Sequence, residues 1–325
     1  MKIKSLHIKN FKSIVDLTIN EPNPFTVFVG PNGSGKSNIF EALELSFLYQ
    51  NVTLEYLYSI YDGNNIFNKN LVEKVFELNL WEDKNKYLTI SFSGLEDRYW
   101  LSGASGTYQT RNPKRIEEFY KDSFSRIFVS NKLKERISFQ SNNKLSFSCD
   151  NLEKVLKRLL ENKEKREEIS EWLELFLPEF DRIEVQKSEF SSNENLLIYQ
   201  KHYERPFNKE LISDGTYNII ALLAAVYQSD EPQFLCIEEP ENGLNPYVIR
   251  KLVDFFRNAC AEKGHYIWLN THSQTLVECL QPEEVIVVDK INGETQIKQI
   301  KGMNLHGLDM AEVWLSGALG GGTPW

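Results

Sequence analysis

The sequence predicts an α/β fold with a mixed, largely parallel core sheet, antiparallel strands at the N-terminus, and an inserted α+β and helical region. Three observations carry that prediction. Residues 25–47 read as an apolar strand, a glycine-rich loop and a helix in immediate succession. Beyond residue 211 the pattern alternates helix and strand through Asp289, as in a parallel sheet covered by helices. Between these regions, from residue 51 to 204, strand patterns follow one another mostly without helices, which reads as antiparallel. The expected organisation is one core formed by residues 1–50 and 205–325, interrupted by an insertion at 51–204.

Each element has a local reason. Ile3, Leu6 and Ile8, then Val15, Leu17 and Ile19, alternate with polar residues and predict two strands. Val27, Phe28 and Val29 make the strand before the loop, and Ile39, Phe40, Leu43 and Phe47 recur at helical spacing after it. In the insertion, strands are expected at Val75–Trp81, Tyr87–Ser93, Arg98–Leu101 and Arg126–Ser130. A helical stretch over 151–177 follows, with Leu152, Val155, Leu156 and Leu159 on one face, and Pro178 ends it. Its charged centre mixes both signs, the pattern of a solvated helix or helical turn rather than a nucleic-acid contact. Strands at Arg182–Lys187 and Asn195–Lys201 flank a turn-rich segment. The apolar tail, with Met310, Val313, Trp314, Leu315, Leu319 and Trp325, is expected to pack on its own core; docking to another protein is the alternative.

Composition narrows the function classes. A net charge of −9, with 41% hydrophobic and 26% charged residues, marks an ordinary globular chain and excludes a surface that is basic throughout. Any nucleic-acid contact needs a local patch such as Lys132, Lys134 and Arg136. The N-terminus lacks the apolar stretch of a signal peptide, and the longest apolar run, Ile219–Val226, is far shorter than the roughly 20 residues that span a bilayer. A cytoplasmic protein without a membrane partner is the expectation. Cys149, Cys236, Cys260 and Cys279 show no C-x-x-C spacing and no histidine cluster, so buried free thiols are expected rather than disulfides or zinc.

Two motifs carry chemistry. Gly30, Gly35, Lys36 and Ser37 satisfy G-x-x-x-x-G-K-[ST], a loop whose backbone N–H groups wrap nucleotide phosphates. Lys36 reaches the outer phosphates, Ser37 holds Mg²⁺, and Asn32, Gly33, Ser34, Gly35 and Asn38 complete the nucleotide-binding loop. The helix N-terminus behind the loop favours the same anion. The second motif is Phe234–Glu239, four apolar residues and two acids, which reads as a buried strand with its acids at the ligand edge of the sheet. Glu238 is expected at the Mg²⁺, through a water, and Glu239 as the base for the attacking water. His272, in WLNTHSQ after the apolar strand Tyr266–Leu269, is a candidate for the γ-phosphate or that water; capping of a surface helix is the plainer reading.

The opening IKNFKSI, GPNGSGKS, EEPENGLNP and NTHS together resemble ABC-type ATPase heads, within them the SMC, RecF and OLD group. The resemblance covers residues 1–50 and 205–290 with specific motifs. It implies ATP and Mg²⁺ as ligands, ATP hydrolysis, and a signature segment that caps the γ-phosphate of a second subunit. That segment should open a helix about twenty residues before the acid strand, which selects Ser213, Asp214, Gly215 and Thr216 over Leu101-Ser102-Gly103 and Leu315-Ser316-Gly317. A homodimer or higher oligomer follows, with the Asn242–Pro246 loop linking its sites.

By the same resemblance Phe11 and Lys12 are nucleotide contacts, although Phe11 reads equally well as core and Lys12 as the partner of an acid. Gln109 and Gln140 are candidates for the glutamine loop and neither is assigned. Glu238 departs from the aspartate of many ABC ATPases and keeps the carboxylate. The chain shows no nuclease and no long coiled coil, and 36 residues follow Asp289. The head is therefore expected to be a switch for a separate effector, a Toprim-like or other nuclease, as in bacterial antiphage defence ATPases. A RecF-like head that binds DNA in repair is the main alternative. A transporter ATP-binding subunit and an assembly scaffold that binds ATP without turnover rank below it.

Overall fold

In chain order the strands are β1 (Ile3–Phe11), β2 (Ile14–Asn20), β3 (Phe25–Val29), β4 (Val75–Glu82), β5 (Asn85–Ser93) and β6 (Phe124–Ile127). They continue with β7 (Phe180–Lys187), β8 (Glu194–Gln200), β9 (Phe207–Asn208), β10 (Phe234–Glu238), β11 (Tyr266–Thr271), β12 (Val285–Ile291) and β13 (Glu294–Gln299). The helices are α1 (Lys36–Asn51), α2 (Leu152–Glu161), α3 (Lys163–Phe176), α4 (Asp214–Tyr227), α5 (Pro246–Lys263), α6 (Gln274–Glu278) and α7 (Met310–Leu315). This computed structural model describes residues 2–51, 66–72, 75–82, 85–93, 123–129, 143–187, 194–305 and 307–319.

The central sheet runs β13-β12-β3-β11-β10-β6, parallel except for the β12–β13 hairpin. The inner strands β3, β10 and β11 are almost wholly apolar on both faces because both faces are covered. Phe25, Val27 and Val29 of β3 point into a core shared with α2 to α7. Phe28, between them, points to the opposite core, where it meets Phe40 of α1 and Trp268 of β11 at 5.5 Å. The two-residue period of a strand thus divides one short apolar run between two hydrophobic layers. A second sheet, β2-β1-β4-β5, is antiparallel and closes the α1 side. A third, β7-β8-β9, packs beside α2.

The N-terminal pair, the β3–loop–α1 unit and the helix–strand alternation follow the expectation. Two strands of the expected insertion, residues 51–204, pair with strands of the expected core. β4 pairs with β1, and β6 joins the central sheet parallel to β10, with Phe124 opposite Phe234. Strand patterning reveals an element but not its partner, which is why β6 reads as antiparallel in sequence. The helical stretch 151–177 is two helices: Asn162 ends α2, takes an extended conformation and accepts a hydrogen bond from Lys165 N–H as the cap of α3. The tail packs inward through Met310, Ala311, Val313, Trp314 and Leu319, while Trp325 and the expected strand Arg98–Leu101 lie outside the described residues. All four cysteines are free.

A buried polar knot joins the back of α4 to β10 and β11. Gln233 N–H donates to His265 Nδ1 at 3.1 Å, which leaves the proton on Nε2 to donate to Val226 O at 3.2 Å. His265 must therefore be neutral, and burial pushes its pKa down to about 4. In the unfolded chain the ring binds its proton near pH 6.5, so the contribution of His265 is complete above that value and is lost as pH falls toward 4. The loss amounts to about 3 kcal/mol at the acid end. Urea unfolding from pH 7 to 4 is expected to show a falling midpoint in the wild type and a shallower fall in His265→Gln.

Candidate functional site

The phosphate-type loop is shaped by what presses on it from behind. A Cβ on Gly30 would lie 2.0 Å from the Val288 carbonyl oxygen, and one on Gly35 would lie 2.0 Å from Thr295 Oγ1. Gly35 also has φ +104°, a region open to glycine. A chain of hydrogen bonds fills the contact: Asn38 Nδ2 donates to Ser13 Oγ at 2.6 Å, and Thr295 Oγ1 donates to Ser34 O at 2.8 Å. With its proton so used, Thr295 accepts from the Ser13 hydroxyl at 2.6 Å. The β1–β2 turn and the β12–β13 hairpin thereby fix the loop, with Asn32 and Gly33 exposed at its tip.

Lys36 is buried, and its Nζ donates to Gly30 O at 2.7 Å and Pro31 O at 3.0 Å. Burial lowers its pKa to about 8, against the opposing fields of Glu239 and Glu241. It remains a cation at neutral pH, folded against the loop it serves.

The first acid of the second motif reaches this loop. Ser37 O–H donates to Glu238 Oε2 at 2.9 Å, and Asn270 Nδ2, opposite Glu238 in the β10–β11 register, donates to Ser37 Oγ at 3.3 Å. The other oxygen, Glu238 Oε1, accepts from Arg126 Nε at 2.6 Å and from a second guanidinium nitrogen. Arg126 further pairs with Glu44 and, at 3.5 Å, with Glu41, while Lys12 pairs with Glu41. Burial alone would lower the guanidinium pKa, but Glu44, Glu238 and Glu41 outweigh it and hold the charge. Phe147 covers Arg126 at 4.9 Å.

Glu239 begins the turn after β10 with φ +46°, and its N–H donates to Asn270 Oδ1 at 3.0 Å. Glu239 Oε2 accepts from Asn242 at 3.0 Å, and Oε1 lies 4.0 Å from His272 Nε2. The two side chains are 39% and 36% exposed, so solvent reaches both. Burial, then Lys36, lowers the pKa of His272 despite Glu239, which keeps the ring neutral at pH 7.

The signature candidate lies elsewhere in the same chain. Ser213 caps α4 by accepting from Thr216 N–H at 3.1 Å, and Ser213 and Asp214 are exposed. Gly215 abuts the turn after the acids, where a Cβ would meet Gly243 O at 2.3 Å. Asn218, one turn on, donates to Pro240 O at 3.0 Å and Asn242 O at 2.8 Å. The competitor Leu315-Ser316-Gly317 closes a helix instead of opening one, Ser316 being the C-cap of α7.

One predicted contact is corrected. Phe11 is fully buried and packs on Phe76 at 5.3 Å, so it has no face to offer a ligand. Lys12 does border a cavity of about 500 Å³ beside the loop, with Gly33, Asn38, Asn68, Lys69 and Lys290. Leu101-Ser102-Gly103, Gln109, Gln140, Lys132, Lys134 and Arg136 lie outside the described residues. Sequence reasoning missed Arg126, Glu41, Glu44, Ser13, Thr295, Asn270 and Glu241. For the acids a signal existed: Ser37, Glu41 and Glu44 are spaced i, i+4, i+7 on one face of an otherwise apolar helix.

The family described as "AAA domain, putative AbiEii toxin, Type IV TA system" matches residues 25–278. An ATP/GTP phosphatase of Helicobacter pylori is 22% identical over 329 residues, covering 86% of this chain and 87% of that protein. The chromosome partition protein Smc of Methanocaldococcus jannaschii is 51% identical over 41 residues, 13% of this chain and 4% of that protein. Among solved structures, the SmcHead bound to the C-winged helix domain of ScpA superposes with TM-score 0.62 at 18% identity, covering 95% of this chain and 100% of that one. The SMC head domain from Thermotoga maritima gives 0.53 at 16% identity, covering 93% and 100%. The Smc head with an extended coiled coil from Pyrococcus furiosus, bound to the C-terminal domain of ScpA, gives 0.60 at 16%, covering 91% and 96%. The fold is that of an SMC-type ATPase head.

The buried charges yield a stability prediction. Arg126→Met leaves Glu238, Glu44 and Glu41 facing one another, with Lys12 paired to Glu41. Removing one partner of such a cluster costs about 3–5 kcal/mol, to be read as a lowered midpoint in denaturant unfolding.

Proposed function

This chain belongs to the AAA-domain family that matches its residues 25–278, and from that membership we propose an ATP-hydrolysing switch that closes as a homodimer and controls a separate effector. One observation carries the proposal: Ser37 Oγ and Glu238 Oε2, 201 positions apart in sequence, meet at 2.9 Å beside a buried lysine. The backbone N–H groups at the start of α1 and the Lys36 ammonium would take the phosphates. The cavity beside Lys12, Gly33 and Asn38 has room for the nucleoside.

Ser37 and Glu238 offer hard oxygen donors suited to Mg²⁺. Among the described residues no group of three or more His, Cys, Asp or Glu could hold a metal, so the other ligands would be phosphate oxygens and water, the usual arrangement for phosphate-bound Mg²⁺. When bound, Mg²⁺ supplies positive charge to the phosphate oxygens. Glu239 Oε2 is tied to Asn242, which leaves Oε1 to take the proton of the attacking water. The 4.0 Å gap between that oxygen and the neutral His272 ring fits a water held by both.

Ser213, Asp214, Gly215 and Thr216 would complete the site from a second copy, since they open a capped helix, with Ser213 and Asp214 exposed. In two of the solved relatives the head binds a domain of a second protein, ScpA. Here the partner is proposed to be a nuclease, Toprim-like or other, in bacterial antiphage defence, and the toxin–antitoxin term in the family description supports such a setting. Action in the cytoplasm is part of the proposal. No helix among the described residues is long and apolar enough to cross a membrane.

ATP turnover by the wild type, Lys36→Ala and Glu239→Gln tests the assignment. Lys36→Ala should lose nucleotide binding. Loss of the base in Glu239→Gln should slow turnover by about 10²-fold or more, and ATP should then hold the dimer closed long enough for light scattering to detect it. Equal rates in all three proteins would refute the reading. Because Lys36 loses its proton as pH rises through about 8, the affinity of the wild type for a fluorescent ATP analogue should be steady near pH 7 and weaken toward pH 9.

A further inference from the structure

Glu241 is given no role in the sequence reading, yet its side chain hydrogen-bonds the histidine segment directly. Its Oε1 accepts from Thr271 O–H at 2.5 Å and from His272 N–H at 3.1 Å. Thr271 Oγ1 in turn accepts from Ser273 N–H at 2.9 Å, and Ser273 caps α6. On its other side, the turn that carries Glu241 is gripped by Asn218 through Pro240 O and Asn242 O. Glu241 is thus the only hydrogen-bonded tie, among the described residues, between the side chains of that turn and the Thr271–His272 backbone and hydroxyl.

The second oxygen, Oε2, is fully buried and has no hydrogen-bond partner among the described residues. Burial raises the pKa of the carboxyl, with Glu239 adding to it, while the bonds from Thr271 and His272 oppose the rise. An orphaned buried oxygen is costly enough to offset what two neutral hydrogen bonds contribute. Net stability is therefore a poor reason for a carboxyl at this position, whereas fixing the neighbouring loop is a good one.

We propose that Glu241 is a positioning residue that holds the His272 ring at its working distance from Glu239. The proposal rests on the roles given above to Glu239 and His272. Only Oε1 does the holding, so glutamine, which keeps an acceptor there, should replace glutamate, and alanine should not. The groups facing the His272 ring are Lys36, Glu239 and, through the backbone, Glu241.

The test measures kcat and KM for ATP in Glu241→Ala, Glu241→Gln, Thr271→Val and Thr271→Ser, beside nitrogen-labelled histidine NMR with His272 assigned by its loss in His272→Gln. A misplaced catalytic group costs on the order of tenfold to a hundredfold in rate. Glu241→Ala and Thr271→Val should therefore lose at least about tenfold in kcat, with KM within about twofold. Glu241→Gln and Thr271→Ser should stay near the wild type. The His272 titration should move up toward its ordinary 6.5 in Glu241→Ala, as the ring leaves its half-buried place, and stay put in Glu241→Gln.

Wild-type kcat in Glu241→Ala, or a glutamine variant as impaired as alanine, overturns the proposal. If the alanine variant does not fold, Thr271→Val against Thr271→Ser decides in the same terms. Should the wild type hydrolyse no ATP, the functional reading fails, and the NMR comparison of Glu241→Ala with Glu241→Gln still shows whether Glu241 places His272.

Discussion

The guanidinium of Arg126 is 2% exposed and is the point on which three separately encoded elements converge. It lies on β6, opposite Cys236 in the register with β10, so it shares a sheet face with Cys236 and Glu238. That face is the one covered by α1, whose Glu41 and Glu44 descend onto the same cation. Two guanidinium nitrogens donating to the one oxygen Glu238 Oε1 fix the carboxylate and turn Oε2 toward Ser37. The first turn of α1, the end of β10 and the middle of β6 are therefore held in one electrostatic knot. Such a cluster adds little net stability over an apolar filling, yet it tolerates the loss of no member. Its use is orientation.

The apolar architecture makes that knot possible. Because β3, β10 and β11 are covered on both faces, their ends are the only places where polar groups can gather without burying unpaired backbone. Glu238, Glu239, Asn270 and His272 all occur at the C-terminal ends of adjacent parallel strands or in the turns just after them. The loop after β3 opens at the same edge, since β3 is parallel to β11 and pairs Val29 with Thr271. Packing thus sorts the chemistry to one rim of the sheet, where α/β proteins generally bind ligands.

This also explains what could be read from the sequence and what could not. The loop at Gly30–Ser37 and the acids at Glu238 and Glu239 were legible because a short stretch of chain carries the whole pattern. Ser213 was legible by spacing and by its capping chemistry, which the structure repeats at α4. Arg126 was not, because its meaning comes from residues 82 and 112 positions away. Ser13 and Thr295, 282 positions apart, are equally silent in sequence although they shape the loop. Phe11 illustrates the reverse error: a motif position suggested a ligand contact, while the break in the alternation of β1 at Asn10, φ +57°, leaves the same side chain in the core. Pairing of β6 with β10 escaped for the reason that register is a tertiary property.

A last consequence concerns how one chain could report on another. Gly215 of α4 has backbone of the acid turn so close that a methyl group would not fit, and Asn218 grips two carbonyls of that turn. Asn242, in the same turn, holds Glu239 Oε2, and Glu241 holds the His272 segment. The proposed signature is thus bonded to the catalytic side of its own chain, while the nucleotide it would touch belongs to the other copy. If α4 shifts when it meets that nucleotide, the rigid contact at Gly215 leaves the acid turn no freedom to stay behind, because close-packed backbone moves as a unit. Coupling between two sites would then need no long pathway: it would pass through one helix N-terminus, one asparagine fork and one turn, all within the fold described here.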